Sequence, residues 1–332
     1  MRPIARQALG SIAPGLSPAW TRCGHWRNWL RFERTASYGL IASMPAFKKI
    51  ALIGRYNTPQ NADVFVRLGH FLQQRGCDVA IESETAQACA VSGIPSVGYA
   101  DIAASFDLAV VLGGDGSMLS AARNLAMARV PLVGINQGRL GFMTDISAGG
   151  MLEAMGSILE GKFVLEERTL LAAEVQREGK TIFSTVALND VVINKGAVGR
   201  MIEFLVHIDG EFVYDLRSDG LIIATPTGST AYALSSNGPI VQPGVPGIAL
   251  VPICPHTLSN RPITVSDRSI IEVTLKRAAD ARLNYDGQLQ GDLHEGERVT
   301  IRRAPYSSVF LHPPGYSYFA MLREKLHWSG IL

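Results

Sequence analysis

Three stretches of this sequence gather residue types that handle phosphates and sugars. The first is Gly113-Gly114-Asp115-Gly116. Three glycines around one carboxylate let a backbone approach a phosphate with no Cβ in the way. Gly113, Gly114 and Gly116 therefore read as a phosphate loop, with Asp115 as its acid. The second is Asn189-Asp190, in Leu188-Asn189-Asp190-Val191-Val192. An amide and a carboxylate at a strand start can hold ribose hydroxyls through paired donors and acceptors, although an Asn-Asp pair by itself is usually just a turn. The third is SDGLIIATPTGSTAYALS, Ser218 to Ser235, an apolar strand running into a Thr/Pro/Gly/Ser cluster and then a short helix. One helix cap needs one hydroxyl, and this cluster supplies several, which favours phosphate or sugar binding.

Weaker signals surround these. Gln137–Thr144 is a Gly-rich turn that can line a cleft, and Asp286-Gly287-Gln288 is most simply a hairpin turn with Gln288 near a ligand. Arg200, Arg217 and Arg261 are candidate phosphate contacts, against the blander reading of solvated surface arginines. There is no GxxxxGK[ST] loop, no GxGxxG after the first strand, no HExxH and no GxSxG elbow. P-loop, dinucleotide-fingerprint, metalloprotease and serine-hydrolase readings thus have no local motif.

The elements that must position these residues follow from hydrophobic periodicity. Ile50–Gly54, Asp78–Glu82, Leu108–Leu112 and Pro131–Asn136 read as buried strands. Between them lie a helix capped by Asn61, with Phe65, Leu68 and Leu72 on one face, and a helix over Ser117–Arg129. Strands alternating with helices predict a parallel sheet, and the GGDG loop falls at the carboxyl end of one strand, where such sheets bind ligands. After Met151–Leu159, read as a helix, the period changes to two. Ile202, Phe204, Val206 and Ile208 share a strand face before an Asp209-Gly210 hairpin, and Ile271, Val273 and Leu275 repeat the pattern. This half predicts a β-sandwich or a related antiparallel structure, and Tyr316–Leu326 predicts a final helix.

The chain has 332 residues, 47% hydrophobic and 18% charged, with a formal net charge of +2. That length suits two domains with sizeable cores, and the charge gives no reason to expect nucleic-acid or membrane-surface binding. Cys23, Cys77, Cys89 and Cys254 show no metal-ligand spacing and fit free thiols in a reducing compartment. Residues 1–44 stand apart: they carry six arginines against the single acid Glu33. They read as a disordered or mis-called extension rather than an organellar transit peptide, because core-building periodicity begins only at Lys48.

The order GGDG, Asn-Asp, DGLIIATPTGSTAYALS resembles the NAD kinase family of the bacterial type. The match extends to Gly134-Ile135-Asn136 with Gly141-Phe142, to Pro252–Pro262 and to Tyr316–Phe319, over roughly residues 46–328. GGDG alone is shared with diacylglycerol-type lipid kinases; the long third motif is the specific one. The resemblance implies an α/β N-terminal domain (45–146) and a β-rich, sandwich-like C-terminal domain (147–310), a NAD kinase/diacylglycerol kinase-like fold. It also implies a segment, 311–332, packing back on the first domain, and a NAD cleft between the domains. By the same resemblance the protein is a cytoplasmic homodimer or homotetramer that phosphorylates the 2′-hydroxyl of the adenosine ribose of NAD, with Mg2+ arriving on ATP.

Asp115, beside Gly116, matches the family's proton acceptor, and Asn189 and Asp190 match its ribose-binding pair. Arg217, Asp219, Thr230, Ala231, Tyr232, Ala233, Leu234, Ser235 and Gln288 match further NAD contacts, and Arg200 matches a basic or polar position. The family pair is usually Asn-Glu, so Asp190 is one methylene short. Arg217 stands where polyphosphate-accepting relatives tend to have glycine, which implies ATP as donor and NAD rather than NADH as acceptor. The alternatives are a lipid or sphingoid kinase sharing the GGDG loop, and a non-catalytic nucleotide sensor, for which Asp115 would have no use.

Overall fold

The computed structural model describes residues 47–54, 62–138, 140–196, 200–257, 259–278, 280–287 and 289–328. Asn61 and Gln288, and residues 1–44, lie outside these. The uninterrupted apolar runs of the first half suit strands buried on both faces. In chain order they are β1 (Lys49–Gly54), α1 (Ala62–Gln74), β2 (Asp78–Glu82), α2 (Ser83–Cys89), β3 (Ser96–Val97), α3 (Tyr99–Ser105) and β4 (Leu108–Leu112). They continue with α4 (Asp115–Leu125), β5 (Leu132–Asn136), β6 (Ile146–Ser147) and α5 (Met151–Leu159). The strands pair in parallel in the order β5-β4-β1-β2-β3. Phe65, Leu68 and Leu72 of α1 and Met151 and Met155 of α5 bury one face of this sheet; Met118, Leu119 and Ala122 of α4 bury the other.

The α4 boundary differs from the sequence reading. The helix starts at Asp115 because Gly114 takes the N-cap, which puts the carboxylate in the first turn, where the helix dipole favours it. It ends at Leu125, and Arg129 already has φ 55°, a left-handed conformation that no helix continues through.

The second half is β-rich. Its elements are β7 (Val164–Arg177), β8 (Lys180–Ala187), β9 (Asp190–Lys195), β10 (Ile202–Ile208), β11 (Glu211–Ser218), β12 (Gly220–Ala224) and the short helix α6 (Tyr232–Ser235). There follow β13 (Gly247–Ile253), β14 (Ile263–Ser266), β15 (Ile271–Arg277), β16 (Ala281–Tyr285), β17 (Leu289–Leu293), β18 (Arg298–His312) and α7 (Tyr318–Leu326). The Asp209-Gly210 hairpin forms as read, with φ of 53° and 83°, the positive values that a two-residue turn of this twist requires.

Among the described residues, one antiparallel sheet runs β14-β13-β12-β9-β16-β17. The remaining strands join the parallel sheet through β18, which pairs with β7 and β15 and then, at Phe310, with Leu132 of β5. The two sheets face each other over a second core built from inward residues that the alternation picked out, Ile202, Phe204, Val206, Ile271, Val273 and Leu275, joined by Val299 and Ile301 of β18. The last helix is capped by Ser317, whose Oγ accepts from the Ala320 N–H at 3.3 Å. Its buried Tyr318, Met321 and Leu322 pack with Phe142, Ile240 and Tyr316, joining the turn after β5 to the second half. No helix among the described residues is long and apolar enough to cross a membrane.

Candidate active site

The GGDG loop leaves the carboxyl end of β4, where the Gly113 N–H still donates to the Ile135 carbonyl at 2.9 Å. Both oxygens of Asp115 are held by backbone: Oδ2 accepts from the Phe142 N–H and Oδ1 from the Met143 N–H, each at 2.9 Å. A Cβ at Gly141 would collide with Asp115 Oδ1 and Thr144 Oγ1, so only glycine lets this turn close over the carboxylate. The Gly-rich turn 137–144, read from sequence as a cleft lining, thus cradles the acid. A Cβ at Gly114 would meet nothing within 4 Å. Neither packing nor backbone conformation requires glycine there, and the missing side chain leaves room for a ligand. Each Asp115 oxygen keeps a second lone pair, so the carboxylate can still accept from a substrate hydroxyl.

The second part of the site is a pocket of about 380 Å3, lined by Asn189, Asp190, Val192, Asn194, Ala231, Tyr232, Asn284, Asp286 and Gly287. The pleat of β9 explains its floor: Val191 and Ile193 enter the second core, and Asp190, Val192 and Asn194 lie on the other face. Asn284 Nδ2 donates to Asn194 Oδ1 at 2.9 Å, across the β9–β16 pair.

Asp286 organises the start of β9. Its Oδ1 accepts from the N–H groups of Asn189 (2.7 Å) and Asp190 (3.3 Å). Its Oδ2 accepts from the Leu188 N–H (3.1 Å) and from Arg123 Nη1 (2.6 Å). Arg123 lies two turns along α4 from Asp115, about 12 Å at 1.5 Å per residue. The Asp286 side chain is fully buried. Burial, with the Asp286 charge beside it, pushes the Asp190 carboxyl up to about 7. Near neutral pH Asp190 therefore populates an acid that can donate one hydrogen bond and an anion that only accepts.

The hydroxyl cluster has a different job from the one its composition suggested. Thr225, Thr227 and Ser229 are buried. Thr225 Oγ1 donates to the Leu188 carbonyl at 2.5 Å and accepts from the Gly228 N–H, and the Thr225 N–H donates to the Asn189 carbonyl. Ser229 Oγ donates to the Pro226 carbonyl and accepts from the Val241 N–H. Thr230 Oγ1 donates to Thr227 O at 3.1 Å. A Cβ at Gly228 would overlap the Asn189 carbonyl. The cluster therefore clamps the backbone that presents Asn189, and burial keeps the Thr225 and Ser229 hydroxyls from a ligand.

The structure brings Asn189, Asp190, Ala231 and Tyr232 into one pocket and places Asp115 outside its lining, at the far end of α4. Ala233 is fully buried, packed with Val192 and Ile222, so its methyl is core. Leu234 is half-buried and Ser235 exposed. Asp219 is ion-paired with Lys195 at 2.9 Å; Arg217 lies 3.9 Å from Glu203 with an exposed side chain; Arg200 is exposed ahead of β10. Gln288 lies outside the described residues. Sequence reasoning missed Val192, Asn194, Asn284 and the role of Asp286. Counting by twos from Asp190 would have found the first two. The other two needed the β9–β16 pairing.

A parallel sheet with a glycine-open loop after β4, a backbone-held carboxylate on the next helix and a pocket with paired amide and carboxyl groups suit a phosphotransferase acting on a nucleotide. The ATP-NAD kinase N-terminal domain model matches residues 50–163 and the ATP-NAD kinase C-terminal domain model residues 188–312. NAD kinase of Aromatoleum aromaticum is 58% identical over 285 residues, covering 86% of this chain and 95% of that protein. NAD kinase of Azoarcus sp. is 52% identical over 286 residues, covering 86% and 97%. The structure of Archaeoglobus fulgidus NAD kinase in complex with ATP superposes with a TM-score of 0.66 at 26% identity, covering 85% of this chain and 100% of that one. Yeast NADH kinase complexed with NADH gives 0.80 at 24% identity, covering 87% and 90%, a likeness of fold. This chain belongs to the NAD kinase family.

Proposed function

We propose that this protein transfers the γ-phosphoryl group of ATP to the 2′-hydroxyl of the adenosine ribose of NAD, giving NADP and ADP. The observation that carries this reading is the Asp115 carboxylate, pinned by the Phe142 and Met143 N–H groups beside a loop kept open by glycine. The ribose oxygen attacks the γ-phosphorus, the bond from that phosphorus to the bridging oxygen breaks, and the hydroxyl proton passes to Asp115. A positioned base contributes roughly 10²–10⁴-fold to such a step, and in-line alignment supplies much of the remainder. Asn189 and Asp190 hold ribose hydroxyls in the pocket, Ala231 and Tyr232 close its other side, and Gly113, Gly114 and Gly116 admit the phosphates.

Magnesium belongs to the ATP substrate. In this reading phosphates and waters carry the ion, as is usual for magnesium bound with a nucleotide. In the same reading Arg200, Arg217, Asp219, Thr230, Leu234, Ser235 and Gln288 contact NAD at the edge of the site. The protein works as a cytoplasmic homodimer or homotetramer. Its domains are 45–146 and 147–310, with 311–332 returning to the first. Incubation with Mg-ATP and either NAD or diacylglycerol, with ADP and NADP followed, tests the proposal. ADP and NADP formed together with NAD support it. Turnover with diacylglycerol alone, or none with either, contradicts it.

A further inference from the structure

A chain of charged side chains, two of them fully buried, lies outside the chemistry described so far. His312, at the end of β18, has both ring nitrogens 3.1 Å from carboxylates, Nδ1 from Asp145 Oδ2 and Nε2 from Glu166 Oε2. Glu166 Oε2 also accepts from Arg168 Nη2 at 2.6 Å, and Arg168 Nη1 donates to Thr227 Oγ1 at 3.3 Å. Tyr316 stacks on the imidazole with ring centroids 3.7 Å apart. The His312 and Arg168 side chains are 1% and 2% exposed.

The two ends of this chain are the two halves of the site. Asp145 lies two residues beyond Met143, whose N–H holds Asp115. Thr227 lies in the clamp that presents Asn189. We infer that Asp145, His312, Glu166 and Arg168 form a positioning relay that sets the distance and angle between the Asp115 carboxylate and the Asn189-Asp190 pair.

Energetics favour this over a purely structural role. Withdrawing His312 and Arg168 fully, and Asp145 and Glu166 partly, from water carries a desolvation cost that is recovered only when every lone pair and proton is matched. Here Asp145 Oδ1 and Arg168 Nε bond to no described group. Apolar side chains of similar volume would stabilise the same space at least as well. What they lack is fixed geometry: a bonded chain of ions has one arrangement, and an apolar contact slides.

The relay also has a chemical state. Carboxylates only accept, so an imidazole bonded to one at each nitrogen must carry both protons. Against its burial, the bonds and charges of Asp145 and Glu166 hold the His312 pKa above its ordinary value. Arg168, bonded to Glu166, is the other charge in the chain, and the nearby phenols of Tyr316 and Tyr318, both pushed up by burial, stay neutral. As pH rises through the raised His312 pKa, one of the two bonds is lost and the relay breaks.

The inference rests on the kinase reading, so wild-type NADP formation is measured first; its absence defeats that reading and not the relay. His312→Gln and Thr227→Val are then compared with Val206→Ala, a truncation in the second core that touches no member of the relay. The relay predicts that both variants lose kcat by 10-fold or more, on the scale of ~10²-fold for a 1 Å misplacement. KM for NAD should stay within about threefold, because each half keeps its own contacts, and the alkaline decline of wild-type kcat should be absent from His312→Gln. Val206→Ala should lower Tm and keep kcat. If His312→Gln does not fold, Thr227→Val decides. Folded variants with kcat within twofold of wild type, or a loss of kcat in Val206→Ala matched to its loss of Tm, would overturn the inference.

Discussion

Replacing Asp286 with Asn tests whether one buried carboxylate organises the pocket. The side chain keeps its shape, and its amide oxygen can take the place of Oδ1 and still accept from Asn189 and Asp190. The amide nitrogen then replaces Oδ2 and faces two donors, the Leu188 N–H and Arg123 Nη1. Leaving the Leu188 N–H unsatisfied costs about 1–3 kcal/mol, and breaking a buried ion pair by removing one partner costs about 3–5 kcal/mol. Two effects reduce the sum. Arg123 is 12% exposed and can turn partly to water. The neighbouring Asp190, pushed up to about 7 partly by the Asp286 charge, is relieved of that repulsion.

A net loss of about 2–4 kcal/mol is expected, a fall in Tm on the order of 5–10 °C. Because the lost bond lies at the residue before Asn189, KM for NAD should rise by about 10-fold, with a smaller change in KM for ATP. Thermal unfolding and steady-state kinetics on the same preparation measure both. Wild-type Tm together with a wild-type KM for NAD would refute the reasoning. Arg123→Met should show part of the loss in Tm, since Asp286 keeps its three backbone donors.

Other changes separate the remaining roles. Burial and the Asp286 charge push the Asp190 carboxyl from the ordinary 3.8 up to about 7 in the folded protein, so its contribution to stability is full below about pH 4 and is lost as pH rises through about 7. The Tm of wild type relative to Asp190→Asn should therefore fall between pH 5 and pH 8; a difference independent of pH would show that the carboxyl does not titrate there. Gly114→Val should lower Tm by only a few °C, since its side chain meets open space, yet weaken ATP binding and turnover; unchanged ATP affinity would remove the loop from the phosphate site. Arg217→Gly should weaken discrimination against NADH and polyphosphate by removing a large cation, and unchanged kcat/KM ratios would exclude Arg217 from specificity.

Much of this molecule was legible because its signals are local. The apolar runs at Ile50, Leu108 and Leu132 and the alternation at Ile202 and Ile271 each report burial within a few residues, and Asp209-Gly210 reports its own turn. GGDG was legible for the same reason: a glycine loop after an apolar strand is a local arrangement. Partners remote in sequence were not legible. Asp286 read correctly as a turn residue, with φ 51°, but its carboxylate serves N–H groups almost a hundred residues earlier and an arginine on α4. The hydroxyls after Ala224 looked like ligand groups because composition does not reveal burial; the fold turns Thr225 and Ser229 inward. Glu166, Arg168 and His312 carry no local motif. Only the pairing of β7 with β18 brings them together.

The most direct test of the account is Asp115→Asn, followed in a single turnover of NADP formation with NAD binding titrated on the same protein. The amide nitrogen must face either the Phe142 or the Met143 N–H, so some stability is lost, about 1–3 kcal/mol for one unsatisfied donor. If Asp115 takes the ribose proton, the rate of the chemical step should fall by roughly 10²-fold or more, about 3 kcal/mol of transition-state stabilisation, while the Kd for NAD changes by less than about threefold. A chemical step within threefold of wild type, with NAD binding weakened instead, would make Asp115 a binding residue and contradict the account.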